Sequence, residues 1–150
     1  MCYGIIFWGT STDDNKVFVL QKIIQIMNNK RPRDSCREIF KSMQILTFYL
    51  QYIYSLLLFT VNNIHLFTLN NEIHEHNTRN TNKLHPSLTN LTKVKNGPYV
   101  MCIKVYNHLP QSIKEMIHNP KHFRSLLKKF RYHHSFCSLK EFYEYKYNLS

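Results

Sequence analysis

The stretch ILTFYLQYIYSLLLFTV, residues 45–61, decides how this chain is read. It carries no charge, and Thr47, Gln51, Ser55 and Thr60 interrupt its aromatic and aliphatic side chains. A membrane-spanning helix takes about 20 mostly apolar residues, with about 17 as its lower limit. This run sits at that limit, is studded with polar groups, and has no Lys or Arg directly at its C-terminal end. The expectation is therefore a buried helix of a soluble protein, roughly Phe48 to Asn63, with no membrane as partner.

The pattern on either side is also helical. Upstream, Thr12 or Asp13 is placed to cap a helix to about Asn28, with Val17, Leu20, Ile24 and Met27 on one face. Pro32 closes that segment, because proline lacks a backbone donor and pushes its predecessor out of the helical region. Ser35-Cys36-Arg37-Glu38 then has the form of a capping box, opening a short helix through about Met43.

Downstream, residues 70–96 hold seven Asn, three His and one Pro, and read as a loop or partly disordered connector, the least ordered segment of the chain. Pro98 is expected to begin a helix carrying Tyr99, Cys102, Ile103 and Tyr106. Leu109-Pro110 breaks it and starts a short one with Ile113, Met116 and Ile117. Asn119-Pro120 forms an N-cap and first-turn pair. The helix it opens sets Phe123, Leu126, Leu127 and Phe130 on one face, and Lys121, Arg124, Lys128 and Arg131 on another. Ser138 to Glu141 is a second capping box before a terminal helix rich in Tyr and Phe. The fold class expected is all-α and irregular, with one long buried helix. It divides into helices over 1–69, an Asn/His-rich connector over 70–96 and a basic helical segment over 97–150.

Length and composition narrow the class further. The chain has 150 residues, one domain's length, and 43% apolar residues, enough for a core. Three glycines leave no Gly-rich phosphate loop, and four scattered cysteines form no disulfide framework. No cationic region precedes the apolar residues 3–8, so a secreted protein is not expected. A cytoplasmic or nuclear location with reduced thiols is.

The net charge is +11, and it is uneven. Residues 1–92 carry 9 basic and 6 acidic side chains, whereas residues 93–150 carry 11 and 3. Such a basic half suits a polyanionic partner, RNA or DNA, through phosphate neutralisation. Alanine is absent and Asn and Lys are abundant, a skew toward A/T-rich codons that also supplies lysines without any partner.

The residues of catalysis are harder to find. His74-x-His76 and His133-His134-x-x-Cys137 are tight groups, but neither has the second ligand pair that a structural zinc needs. No metal or other cofactor is expected. No nucleophile sits in a recognisable strand–turn–helix context. The adjacent carboxylates Asp13 and Asp14 are read as helix-start residues that favour the helix dipole. The best binding element is the basic stripe Lys121, Arg124, Lys128 and Arg131, whose 3, 4 and 3 spacing forms one helix face able to track phosphates. Tyr132, His133 and Phe136 follow it as candidates for stacking on unpaired bases.

A set of short motifs resembles one family. Tyr3-Gly4-Ile5-Ile6-Phe7-Trp8-Gly9 is similar to the end of the thumb region in jockey-like, LINE-type non-LTR retrotransposon reverse transcriptases. Further similarities follow in order. They are Leu20-Gln21-Lys22, the turn Arg33-Asp34-Ser35-Cys36, Gln51-Tyr52-Ile53 with Leu56-Leu57-Leu58, and His76-Asn77-Thr78-Arg79. After these come Lys104-Val105-Tyr106-Asn107-His108-Leu109-Pro110 and the helix from Phe123 to Phe130.

The resemblance covers nearly the whole chain. It implies an all-α region downstream of an RNA-directed DNA polymerase, with the missing polymerase core as a possible partner. The family's aromatic-Ala-Asp-Asp segment, whose carboxylates hold the catalytic metals, is not in this sequence. Met1 falls inside what the family makes a helix. The expectation is a non-catalytic C-terminal remnant of a reverse transcriptase that retains nucleic-acid contact. The alternatives are a stand-alone basic helical module and an enzyme with an unrecognised Cys/His site.

Overall fold

Thr47 sets the start of the long helix. Its backbone is extended, and its Oγ1 accepts a hydrogen bond from the Leu50 N–H at 3.3 Å. That bond satisfies one of the donors a helix start leaves orphaned. The same hydroxyl donates to the carbonyl of Phe136 at 2.6 Å, joining positions 89 residues apart.

The computed structural model describes residues 4–9, 23, 26, 27, 29, 31, 37–43, 45–73, 83–86, 97–134 and 136–145. Among them run α1 (Ile5–Trp8), α2 (Arg37–Ser42), α3 (Phe48–Asn62), α4 (Asn70–Ile73), α5 (Pro98–His108), α6 (Gln111–Lys114), α7 (Pro120–His133) and α8 (Leu139–Glu144). A 3-10 turn, Ile64–Leu66, follows α3. The described residues form no strand; one antiparallel bridge pairs Leu69 with Leu84. The fold is all-α. None of the described helices is long and apolar enough to cross a membrane.

Helix α3 is the axis of the core, and α1, α5 and α7 pack against it. Its burial is not confined to one stripe: Phe48, Leu50, Tyr52, Ile53, Leu56, Leu57 and Val61 are all buried. A helix apolar on most of its circumference needs neighbours on several sides, and α3 has them. Thr60 turns its hydroxyl back to the Leu56 carbonyl at 2.9 Å, so the polar atom is satisfied inside the core. From α5 come Met101, Cys102, Ile103, Val105 and Tyr106; from α7 come Phe123, Leu127 and Phe130. Fully burying a Leu or Phe side chain contributes about 1.5–3 kcal/mol.

Two glycines of the Tyr3–Gly9 motif have distinct reasons to be glycine. Gly4 precedes α1 with φ 80°, a left-handed conformation that costs glycine little. Gly9 ends α1 in an ordinary helical conformation, but a Cβ there would overlap the Tyr52 ring and approach the Ile5 carbonyl at 2.8 Å. The Tyr52 ring takes the space a side chain at Gly9 would need, and that close approach seats α1 on α3.

The second half follows its local signals closely. Asn119 accepts from the His122 N–H at 3.2 Å with Pro120 in the first turn of α7. Ser138 accepts from the Glu141 N–H at 3.1 Å. The Glu141 carboxylate reaches back to the Cys137 N–H at 2.9 Å, one residue before the position a capping box uses, and pairs with Arg37 at 2.6 Å. Phe142 is fully buried and meets Phe136 edge to face at 5.4 Å.

Several expectations change. The long helix ends at Asn62 rather than Asn63. Residues 70–73 of the connector are helical, and Leu84 within it is fully buried. A segment of Asn and His therefore still delivers one apolar anchor to the core. Met27, expected on one apolar face with Val17, Leu20 and Ile24, is 79% exposed; those three lie outside the described residues. Met116 is exposed because α6 stops at Lys114 and the chain continues as turns, which rotates that side chain away from the core. Tyr99, on α5 as expected, is exposed; it stacks on Phe67 at 4.9 Å and donates to the Leu66 carbonyl at 3.3 Å.

Candidate nucleic-acid interface

Helix α7 is divided lengthwise. Phe123, Leu127 and Phe130 dock on the core, which fixes the roll of the helix about its axis. Lys121, Arg124 and Lys128 then point to solvent, as the spacing requires. Lys129 is exposed as well. At 100° per residue it lies a quarter-turn or so from Lys128 and widens the basic face beyond the expected stripe. The 3-4-3 pattern passed over it because it selects one line of residues rather than an arc.

The stripe is not uniform. Arg124 Nη2 donates to Asn62 Oδ1 at 2.7 Å, tying α7 to the last turn of α3. This bond holds the guanidinium in one orientation while leaving further donors of its fork for an anion. Lys121 and Lys128 stand on either side of it along the helix. Arg131 and Tyr132 occupy the last turn of α7, and their side chains lie outside what the structure describes, as does that of His133.

Phe136 is not a base-stacking platform. It is buried and packs among Phe130, His134, Phe142 and Tyr145, with His134 stacked on it at 5.2 Å. The chain turns inward after α7, which a sequence pattern of alternating basic and aromatic residues does not distinguish from an exposed surface.

The family-motif positions separate by role. Asn107 Nδ2 donates to the Leu84 carbonyl and its Oδ1 accepts from the Leu84 N–H, each at 2.8 Å. The side-chain amide thus pairs with a buried residue's backbone as a neighbouring strand would. Pro110 stands at the N-cap of α6, and Lys104 is exposed on α5. Gly4 and Gly9 shape the α1–α3 contact described above. Tyr3, Arg33, Asp34, Thr78, Arg79 and the side chain of Trp8 lie outside the described residues.

Cysteine and histidine chemistry has little footing among the described residues. Burial pushes the Cys102 thiol up to about 11, opposite to the activated thiolate a nucleophile needs. Burial, the larger cause, holds the His108 imidazole below its usual range; its ring meets Phe142 at 4.8 Å and Tyr143 at 5.5 Å. No three His, Cys, Asp or Glu side chains among the described residues gather as a metal site. The paired histidines His74 and His76 fall outside those residues.

One basic residue behaves unlike the others. Lys114 is buried, its Nζ donates to the Asn107 carbonyl at 2.8 Å, and its carbonyl accepts from the Tyr106 hydroxyl at 3.4 Å. Burial first, and the charge of Lys83 second, bring its ammonium down to about 8. Sequence reasoning counted it with the basic half and had no signal to separate it. No family model, curated protein or solved structure matches the chain.

Proposed function

We propose that this chain is a non-catalytic nucleic-acid-binding element of the LINE-type reverse-transcriptase C-terminal region, contacting phosphates through the outer face of α7. The observation that carries the reading is the division of that helix: Phe123, Leu127 and Phe130 are committed to the core, while Lys121, Arg124, Lys128 and Lys129 share the exposed side. A docked helix presents its cations without having to unfold or reorient. Phosphate contacts of this kind position a strand and discriminate little between bases. The ordered motifs from Tyr3 to Phe130 support the family part of the reading. In that family the chemistry of polymerisation belongs to carboxylates outside these residues, so the chain by itself incorporates no nucleotide.

Fluorescence anisotropy with labelled single-stranded RNA and duplex DNA, titrated across salt, tests the binding. Log affinity falls with log salt by about 0.7 per neutralised phosphate on single strands and about 0.9 on duplex. The combined variant Lys121→Glu, Lys128→Glu and Lys129→Glu is expected to weaken binding and flatten that slope, with helicity by circular dichroism unchanged. Equal binding by parent and variant would reduce the face to ordinary solvated surface.

A stand-alone binding module is favoured by a different observation, the packing of α5 and α7 against α3 in one core. The two readings part at the DNA upstream of the Met1 codon. A polymerase reading frame there, even one broken by stops, supports the retrotransposon origin.

A further inference from the structure

Arg37 and Arg124 are held by partners of opposite kind. Arg37 Nη2 lies 2.6 Å from the Glu141 carboxylate, so its charge is compensated where it stands. Arg124 Nη2 donates to Asn62 Oδ1 at a nearly equal 2.7 Å, and that oxygen belongs to a neutral amide. Asn62 is the last residue of α3, and both side chains of the pair are exposed. Among the described residues no carboxylate lies within ion-pair distance of Lys121, Arg124, Lys128 or Lys129.

The two kinds of partner have different consequences for an incoming anion. A carboxylate steadies a guanidinium but repels a phosphate. An amide oxygen steadies it and leaves the positive charge intact. The carbonyls at a helix C-terminus also carry partial negative charge that favours a nearby cation, which adds to the restraint at the end of α3. We infer that Asn62 is a positioning residue for nucleic-acid binding, holding the Arg124 fork in the orientation that pairs with a backbone phosphate. The inference rests on the reading of α7 as a phosphate-contacting face.

Arginine gives up rotamer freedom when it binds, and a side chain ordered beforehand gives up less. One donor of the fork is taken by Asn62, and the others remain to meet phosphate oxygens in parallel N–H···O bonds. Lys121 and Lys128 bear ammonium groups that act as point charges and set no orientation. The strand is thereby anchored at the junction of α3 and α7, and the exposed lysines on either side of Arg124 extend the contact along the helix.

Fluorescence anisotropy of the full chain with a labelled oligouridylate tests the inference through a double-mutant cycle of Asn62→Ala and Arg124→Ala. Asn62→Ala should weaken binding about threefold to tenfold, the gain from ordering one long side chain in advance. It removes no charge, so the salt slope should stay as in the parent. Arg124→Ala should weaken binding further and lower the slope by about 0.7. With Arg124 already replaced, Asn62→Ala should have no further effect. Arg124→Lys, which keeps the charge but loses the fork, should bind like Asn62→Ala. Both positions are exposed, and helicity by circular dichroism should be parental in every variant. Parental affinity in Asn62→Ala or in Arg124→Lys would overturn the inference. So would an equal loss from Asn62→Ala with and without Arg124. The combined change of Lys121, Lys128 and Lys129 to Glu separates this from the wider reading. If that change weakens binding and Asn62→Ala does not, the role of Asn62 alone is lost; if neither does, both readings are.

Discussion

Helices α3 and α7 are nearly the same length, 15 and 14 residues, yet they divide the tasks of the molecule between them. Helix α3 has no charge and is covered on several sides; α7 is apolar on one side and cationic on the other. The first holds the fold together and leaves only uncharged, mostly half-buried side chains such as Tyr54 and Phe59 at its surface. The second contributes fewer buried side chains but holds its cations in a fixed orientation. The comparison teaches that binding capacity depends on what packing leaves uncovered. The sharpest tests set the buried helix against the exposed face.

The largest expected effect is at Leu56. Leu56→Ala removes a fully buried side chain from the middle of α3 and should cost about 2–5 kcal/mol, read as a lowered midpoint in urea denaturation. Nucleic-acid affinity measured where the variant is still folded should be unchanged. Loss of binding without loss of stability would mean that α3 is more than scaffold.

Gly9→Ala should come next, at about 1–3 kcal/mol, because a methyl group must displace the Tyr52 ring or the α1 backbone. The companion variant Gly9→Ala with Tyr52→Leu, which shortens the opposing side chain, should cost less than the two single effects added together. Strict additivity would show that Gly9 and Tyr52 do not meet in solution.

Lys114 sharpens the comparison because it is a basic residue on the buried side. Its ammonium is lowered from 10.5 to about 8, so below pH 8 both folded and unfolded chains hold the proton and the burial penalty is fully present. Between pH 8 and 10.5 the folded chain releases it first, the unfolded chain binds more protons, and stability rises with pH. Burial of Tyr106 raises its phenol, which works in the opposite direction above about pH 10. The measurable quantity is therefore the difference between parent and Lys114→Met in chemical denaturation at pH 7, 8.5 and 9.5. The parent should gain on the variant as pH rises. A constant difference would place the Lys114 ammonium in solvent.

The smallest effect on stability belongs to the exposed face. Lys128→Ala should change stability by no more than about 0.5 kcal/mol. It should nevertheless reduce affinity for single-stranded RNA and lower the salt slope by about 0.7 if it neutralises one phosphate. Arg124→Ala should cost slightly more stability than Lys128→Ala, since it also breaks the 2.7 Å bond to Asn62.

Local rules made much of this molecule legible. Asn119-Pro120 and Ser138 cap their helices as their side chains suggest. Caps are short-range: donor and acceptor lie within three residues, so sequence contains the whole interaction. The docking side of α7 was legible for a related reason, because its apolar residues recur with the helical period. Less visible were Leu84, Phe136 and Lys114. Leu84 is one apolar residue among polar neighbours, and only the Asn107 amide, 23 positions away, explains its burial. Phe136 follows a basic helix and resembles a surface aromatic until Thr47 takes its carbonyl.

By itself the sequence determined the all-α class, the position of the long apolar helix, the starts of α5, α7 and α8 and the cationic character of the second half. Each depends on spacing or capping within a few residues, where the geometry of the chain leaves little choice. Tertiary structure alone decided which charges face water and which do not. Lys128 and Lys114 are the same side chain, yet one stands on an exposed face and the other donates to the Asn107 carbonyl inside the fold. The cost of burying a charge depends on what surrounds it in three dimensions, and those surroundings come from segments far apart in sequence.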